Sequence, residues 1–244
     1  MGSAMATDKT SVLVIAPAFN EAKMIGEVVR GVKRIPEVTD VLVVDDCSTD
    51  NTAEVASTNG ALVARHPQNM GVGAAIRTGI TFARKMGYSV VAIIAGDGQH
   101  DPADLPKILR PVLDGECDLC LGSRFLAGGR VVGQNAFRVW GIRLYSLLFS
   151  MTSGHWFTDA TNGLRAFRAS LLEEKGIDLA KEWLNRYELE PYLIYTAARL
   201  RLRIKEVPCT VRYHEKERYS HMKPFVDWWR LLKPPILLRL GLRR

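Results

Sequence analysis

Asp97, Gln99 and His100 lie within four residues in DGQHDP, 97–102, directly after the apolar run VVAIIA, 90–95. A carboxylate, an amide oxygen and an imidazole so spaced suit a hard divalent cation, with a diphosphate supplying further oxygens. The run before them is short, uncharged and β-rich, which predicts a buried strand. In open α/β sheets, ligands sit at the carboxyl ends of such strands. The bland alternative is a strand followed by a polar turn closed by Pro102.

Two more runs repeat the arrangement. SVLVIA, 11–16, leads into Pro17, Ala18, Phe19, Asn20 and Glu21; VLVV, 41–44, leads into Asp45, Asp46, Cys47, Ser48, Thr49 and Asp50. Helical patterns follow at 22–35, 52–59 and 73–86, so strand, polar loop and helix alternate at βαβ lengths. Three strands thus bring acidic or amide groups to one sheet edge. Asp45 and Asp50 have an alternative use, capping the loop and the helix from Thr52. NMGVG, 69–73, lacks the G-K-[ST] of a P-loop and the full G-x-G-x-x-G, and reads as a tight turn into the next helix.

The 244 residues suffice for one α/β domain with a large core, and no Pro/Ser/Gly-rich stretch breaks it. Residues 1–10 read as a disordered start or a cloning scar, and no signal peptide is visible. Cys117 and Cys120 have C-x-x-C spacing, but they lie in the strand-like DLCLGS and have no second pair to complete a zinc site. With Cys47 and Cys209 isolated, reduced buried thiols are expected, which favours a cytosolic compartment.

Charge is uneven. Residues 196–244 carry 13 Lys and Arg against 4 Asp and Glu, a net +9, while the whole chain is +7; residues 1–195 therefore net −2. A nucleic-acid module is disfavoured, because the basic end is too apolar and lacks a recognition motif. Residues 224–244 mix Trp228, Trp229 and many leucines with basic residues, which suits an interfacial helix or hairpin on an anionic membrane. Pro234, Pro235 and the charges exclude a continuous membrane-spanning helix. The alternative is a core-packed helix with a basic outer face. A second amphipathic segment runs over 136–151, where Phe137, Trp140, Leu144, Leu147, Leu148 and Met151 recur at helical spacing, with Arg138 and Arg143 near its start. It reads either as a buried helix or as a membrane contact.

Six segments carry a resemblance: PAFNEA (17–22), VVDDCSTDNT (43–52), NMGVGAAIRTGI (69–80), DGQHDP (97–102), GSRFLAGG (122–129) and DATNGLRAFR (159–168). In this order they resemble family 2 glycosyltransferases of the GT-A fold, and most of all the dolichyl-phosphate mannose synthase and polyprenyl-phosphate hexosyltransferase branch. The resemblance implies an α/β GT-A (Rossmann-like) domain over 11–223. Its sheet would be mixed and mainly parallel, with flanking helices and amphipathic membrane-interface helices. Many relatives carry extra transmembrane helices; this sequence shows none, so a peripheral, monotopic enzyme at the cytoplasmic membrane face is expected.

The implied reaction is inverting transfer of a hexose from a nucleotide sugar to a polyprenyl or dolichyl phosphate. GDP-mannose is the first donor to test, with UDP-glucose or another UDP-hexose as the alternative. Transfer to a saccharide or lipid hydroxyl is a second alternative; a non-catalytic nucleotide-binding peripheral membrane protein is a third. By the resemblance, Asp97 and then Gln99 hold Mg²⁺ or Mn²⁺. The branch usually has Asp-x-Asp before the Gln. Here Ala95 takes the first place, so the diphosphate carries more of the coordination. Pro17, Phe19, Glu21, Val44, Asp46 and Asp97 would surround the nucleotide, with Phe19 where Tyr is frequent. Ser123, Arg124 and Arg138 would bind the acceptor phosphate, with Arg218, His221 and Lys223 of ERYSHMK. An ionised phosphate is already a nucleophile. A hydroxyl acceptor would need a base, for which Asp159 is the catalytic candidate and Glu188 and Glu190 are weaker ones.

Overall fold

The computed structural model describes residues 10–213 and 226–239, with side chains from Lys233 onward in the second segment. Arg218, His221 and Lys223 lie outside the described residues, as does nearly all of the segment expected as a disordered start. In chain order the elements are β1 (Val12–Ala18), α1 (Ile25–Lys33), β2 (Asp40–Asp45), α2 (Thr52–Thr58), β3 (Leu62–Arg65) and α3 (Val72–Met86). Next come β4 (Val90–Ile93), α4 (Leu105–Leu113), β5 (Leu119–Ser123), β6 (Arg130–Val132), α5 (Ala136–Ser153) and β7 (Arg165–Arg168). The last are α6 (Leu189–Arg199), β8 (Ile204–Pro208), β9 (Thr210–Arg212) and α7 (Val226–Arg239).

Seven strands form one sheet in the order β3-β2-β1-β4-β7-β5-β8, and β6 pairs with β9 beside it. Neighbouring strands are parallel except at β7, which runs antiparallel to both β4 and β5. This is the mixed, mainly parallel sheet that the sequence predicts. Both faces are covered, which explains why the strands read as unbroken apolar runs. Leu13 and Ile15 of β1 face one core with Ala75, Ile76, Phe149 and Leu193, from α3, α5 and α6. Val12, Val14 and Ala16 face the other with Val28, Val29, Leu105 and Ile108, from α1 and α4.

The glycine loop before α3 does two jobs. Gly71 has φ 98°, which makes the predicted tight turn. Gly73 permits a close approach: a Cβ there would lie 2.1 Å from the Leu184 carbonyl oxygen. That approach lets the Ala74 amide donate to the Asn185 carbonyl at 2.9 Å.

The described part of the basic C-terminal segment packs on the domain. α7 lies against α5 and α6. Its backbone stays helical through Pro234 and Pro235, both buried, and Leu238 meets the core. Arg239 Nη1 donates to the Met151 and Thr152 carbonyls at 3.4 and 3.2 Å, capping the last turn of α5. Among the described residues, no helix is long and apolar enough to cross a membrane.

Gly73→Ala should push α3 away from the 184–186 turn and destabilise the fold by about 1–3 kcal/mol, the usual cost of overpacking. Equilibrium urea unfolding measures this. An unchanged midpoint would show that the turn yields freely.

Candidate active site

Because β2, β1 and β4 are adjacent and parallel, their three polar loops meet at one edge. The first two loops are stitched together. Asn20 and Cys47 both adopt left-handed backbone, with φ 57° and 64°. The Asn20 amide donates to Ser48 Oγ at 2.9 Å, and Asn20 Oδ1 accepts from the Thr49 amide at 2.8 Å. Asp50 accepts from the Ala22 amide at 3.2 Å and from both the amide and the hydroxyl of Thr52, the capping use foreseen for it. Pro17 and Phe19 are half-buried at this edge and Glu21 is buried. Val44 does not line it: its side chain is fully buried in the core with Ala75 and Ile76.

Asp46 has structural partners of its own. A nucleotide contact is implied for its carboxylate, yet the structure turns both oxygens inward. Oδ1 accepts from the Met70 amide at 2.8 Å and lies 2.7 Å from His66 Nδ1; Oδ2 accepts from the Gly71 amide at 2.7 Å. A carboxylate has about four lone-pair sites. Three are taken by the loop that opens α3, so Asp46 is first a clamp. Asp45 is fully buried, accepts from the Ser48 amide at 3.0 Å, and has the Arg65 guanidinium 3.1 Å from Oδ2.

Asp97 differs from these carboxylates. It is half-exposed on a turn made by Gly98, φ 72°, and among the described residues only Oδ1 is engaged, by the Gln99 amide at 3.0 Å. Among the described residues, no three His, Cys, Asp or Glu gather as a metal-holding set. One outward carboxylate beside an amide fits an ion that keeps waters and takes substrate phosphate oxygens, as Mg²⁺ does. It does not fit an all-protein cage. His100 has one ring nitrogen committed. Its Nε2 lies 2.8 Å from Asn162 Oδ1 and its backbone bridges to Val211, so it ties the loop to β9.

On the acceptor side, two residues given separate roles are locked together. Arg124 and Asp159 form a buried fork, Nε to Oδ2 at 2.6 Å and Nη2 to Oδ1 at 2.7 Å. Burial disfavours the charge on Arg124, but the Asp159 carboxylate outweighs it and holds the guanidinium protonated beyond its ordinary range. Arg124 also donates to Tyr213 Oη at 2.6 Å and to Thr161 Oγ1 at 2.5 Å, which leaves one N–H for a ligand. Asp159 Oδ2 further accepts from the Arg124 amide at 3.1 Å, and Oδ1 from Thr161 Oγ1 at 3.1 Å. With all four sites taken, Asp159 has no lone pair left to remove a proton. That corrects its reading as a base. Glu206 supports the fork from β8, accepting from the Thr158 and Asp159 amides at 2.8 and 2.9 Å. Ser123 is fully buried and bonds the Thr158 hydroxyl at 2.6 Å, so it too braces this turn.

Arg138 and Arg143 are the more available cations. Arg138 lies over the Tyr213 ring at 5.5 Å, and Arg143 over Phe125 at 4.8 Å. Among the described residues no carboxylate pairs with either. They rise from α5, which buries Gly141, Ile142, Tyr145, Ser146, Phe149, Ser150 and Ser153 and leaves a second set of large apolar residues outward. Phe137 is 76% exposed, Trp140 61% and Met151 68%, and Trp156 just beyond is 68% exposed. The apolar spacing in the sequence therefore marks the outer face of the helix.

Sequence reading missed His66, Glu206 and Tyr213, which hold functional loops across long chain separations. It also assigned no role to Arg165, which pairs with Glu190 at 2.8 Å. An arginine in the middle of the apolar run GLRAF was the available signal.

The fold and this edge define an α/β transferase of the GT-A type. The glucosyl-3-phosphoglycerate synthase of Mycobacterium tuberculosis, solved with Mn²⁺, UDP-glucose and phosphoglyceric acid, has the same fold. It is 22% identical, with a TM-score of 0.71 over 96% of this chain and 81% of that one. The family model "Glycosyl transferase family 2" matches residues 13–176, and the chain belongs to that family. Among its relatives is the undecaprenyl-phosphate mannosyltransferase of Micrococcus luteus, 34% identical over 82% of each chain. Another is the UDP-N-acetylglucosamine–dolichyl-phosphate N-acetylglucosaminyltransferase of Methanococcus voltae, 30% identical over 85% of this chain and 88% of that one.

Removing one partner of the buried fork strands the other. Asp159→Ala should cost about 3–5 kcal/mol of stability. The double variant Asp159→Ala, Arg124→Leu should recover part of that loss, since no lone charge remains. Asp46→Ala should cost about 1.5–3 kcal/mol through its lost charge-assisted bonds. Urea melts on the four proteins, wild type included, check both. A double variant no more stable than Asp159→Ala would show that charge is not the reason.

Proposed function

We propose that this glycosyltransferase moves a hexose from a nucleotide sugar to the phosphate of a polyprenyl lipid at a membrane surface. The observation that carries the reading is that Arg138 and Arg143 rise from the same helix whose outer face is an exposed apolar stripe. A phosphate group and a hydrocarbon tail need those two surfaces side by side. The saturated Asp159 supports the same choice, because an ionised phosphate attacks without a base whereas a hydroxyl needs one. The names of the Micrococcus and Methanococcus relatives point to the same acceptor class.

Asp97, with Gln99 behind it, would hold Mg²⁺ or Mn²⁺ against the donor diphosphate. The ion would neutralise the charge that builds there as the glycosidic bond breaks. Arg138 and the remaining N–H of Arg124 would fix the acceptor phosphate. Pro17, Phe19 and Glu21 would line the nucleotide. Arg218, His221 and Lys223 remain proposed as further phosphate contacts. GDP-mannose is the first donor to test, with UDP-sugars beside it. The membrane contact would be peripheral and, as four free cysteines suit a reducing compartment, on the cytoplasmic face.

A donor panel of GDP-mannose, UDP-glucose and UDP-N-acetylglucosamine with polyprenyl phosphate, scored for lipid-linked sugar, tests the reaction. Asp97→Ala or EDTA should abolish the signal, and Gln99→Ala should be milder. Full activity of Asp97→Ala with added metal would overturn its role. Arg138→Ala should raise the acceptor KM roughly 10- to 100-fold with donor affinity unchanged.

The membrane contact has its own test. Phe137→Ser with Trp140→Ser should reduce cosedimentation with anionic liposomes while leaving the melting temperature near that of the wild type, because both side chains already face solvent. Undiminished cosedimentation would remove α5 as the contact.

A further inference from the structure

Two buried polar atoms beside the Asp97 loop have no partner among the described residues: Nδ1 of His100, a residue 7% exposed, and Nη1 of Arg165, a residue 1% exposed. Such groups are uncommon in folded proteins and call for a ligand or a water.

Their chemistry can be assigned. Asn162 Nδ2 donates to Cys209 Sγ at 3.0 Å and Asn162 Oδ1 accepts from the Leu164 amide at 2.9 Å, which fixes the amide orientation. His100 Nε2 must therefore donate to Asn162 Oδ1. With that proton on Nε2, Nδ1 of the neutral imidazole carries the lone pair. His100 is an acceptor in need of a donor. Arg165 is the reverse. Its Nη2 donates to the Asn162 carbonyl at 2.6 Å and pairs with Glu190 Oε1 at 2.8 Å, while the hydrogens on Nη1 seek an acceptor.

Both groups border one notch. From the Cβ position that Gly163 lacks, the nearest atoms are Glu190 Oε1 at 3.7 Å and His100 Cε1 at 3.8 Å. Cε1 is bonded to Nδ1 in the His100 ring, and Glu190 Oε1 is the atom paired with Arg165. The notch lies at the ligand edge of the sheet, because Arg165 pairs with Ile93 at the end of β4, four residues before Asp97.

We infer that the notch beside Gly163 reads a hydroxyl of the donor hexose, with Arg165 Nη1 donating to it and His100 Nδ1 accepting from it. Glu190 adds a second acceptor on the rim. A diphosphate does not suit this position, since it would meet the His100 lone pair and the Glu190 carboxylate. A hydroxyl both donates and accepts, so it satisfies both orphans. The inference rests on the nucleotide-sugar reading above.

Gly163→Ala is the mild probe. Its backbone is not left-handed, and the added methyl reaches only ordinary van der Waals contact, so the fold should hold. Calorimetry compares GDP and UDP with GDP-mannose, GDP-glucose, UDP-glucose and UDP-galactose, in the presence of Mn²⁺. For the preferred donor, Gly163→Ala should weaken nucleotide-sugar affinity about tenfold or more and leave the matching nucleoside diphosphate unchanged. His100→Leu, checked for folding by circular dichroism, should narrow the preference between sugars that differ at one hydroxyl. Unchanged sugar affinity in Gly163→Ala would mean that water alone fills the notch, and would overturn the inference. Equal loss of sugar and diphosphate would overturn it too, by giving the notch to the nucleotide. Wild-type protein that binds the diphosphates but none of the four sugars overturns the donor reading itself, and the subsite with it.

Discussion

A guanidinium and a carboxylate held together out of water fix the part of this molecule where β5, β8 and β9 end. The Arg124–Asp159 fork joins the end of β5 to the 158–161 turn, and through Tyr213 to the end of β9. Glu206 anchors the same turn from the edge strand β8. A buried pair of this kind adds little net stability over an apolar packing, yet either partner alone would be very costly. Its effect is therefore one of register. Tyr213, held by Arg124, lies beneath Arg138.

The same economy of charge shapes the donor side. Parallel strands end on one side of a sheet, so the three loops crowd acidic groups where an anionic diphosphate would have to sit. Left free, they would repel it. Asp45, Asp46 and Asp50 are instead neutralised by amides, hydroxyls and Arg65 as they knit the loops together. Asp97 keeps an oxygen for a ligand. With Ala95 nearby in place of a carboxylate, the edge carries less negative charge than the Asp-x-Asp pattern would give it.

Helix α5 is apolar on two faces. Its inner face packs Ile142, Tyr145 and Phe149 against the domain between Gly141 and three serines, and each of Ser146 and Ser150 returns its hydroxyl to a helix carbonyl. Phe137, Trp140, Leu144, Leu147, Leu148 and Met151 point outward. A helix so arranged loses apolar burial in water and regains it only against another apolar phase, which is why its cations are informative. Arg138 and Arg143 sit at the helix's N-terminal end, on the side of the Arg124 cluster, while the stripe extends away from them.

Much of this was legible in the chain itself. Unbroken apolar runs predict strands buried on both faces, and β1, β2 and β4 lie where VLVIA, VLVV and VVAI fall. Loop chemistry at their ends gave the ligand edge, and the order of the motifs gave the family. Residue type, however, does not say which partner a polar group finds. Asp46 and Asp97 read alike in sequence, but a loop 24 residues away claims the first and leaves the second open. Asp159 and Arg124, 35 residues apart, read as base and phosphate ligand until the fold joins them. Helical spacing likewise shows that α5 is apolar but not which residues turn inward: the domain takes Ile142, Tyr145 and Phe149 and leaves the Phe137–Met151 stripe outside. Periodicity and turn chemistry are local and survive in sequence. Hydrogen-bond satisfaction and helix orientation are set by neighbours distant in the chain, and only the tertiary structure supplies those.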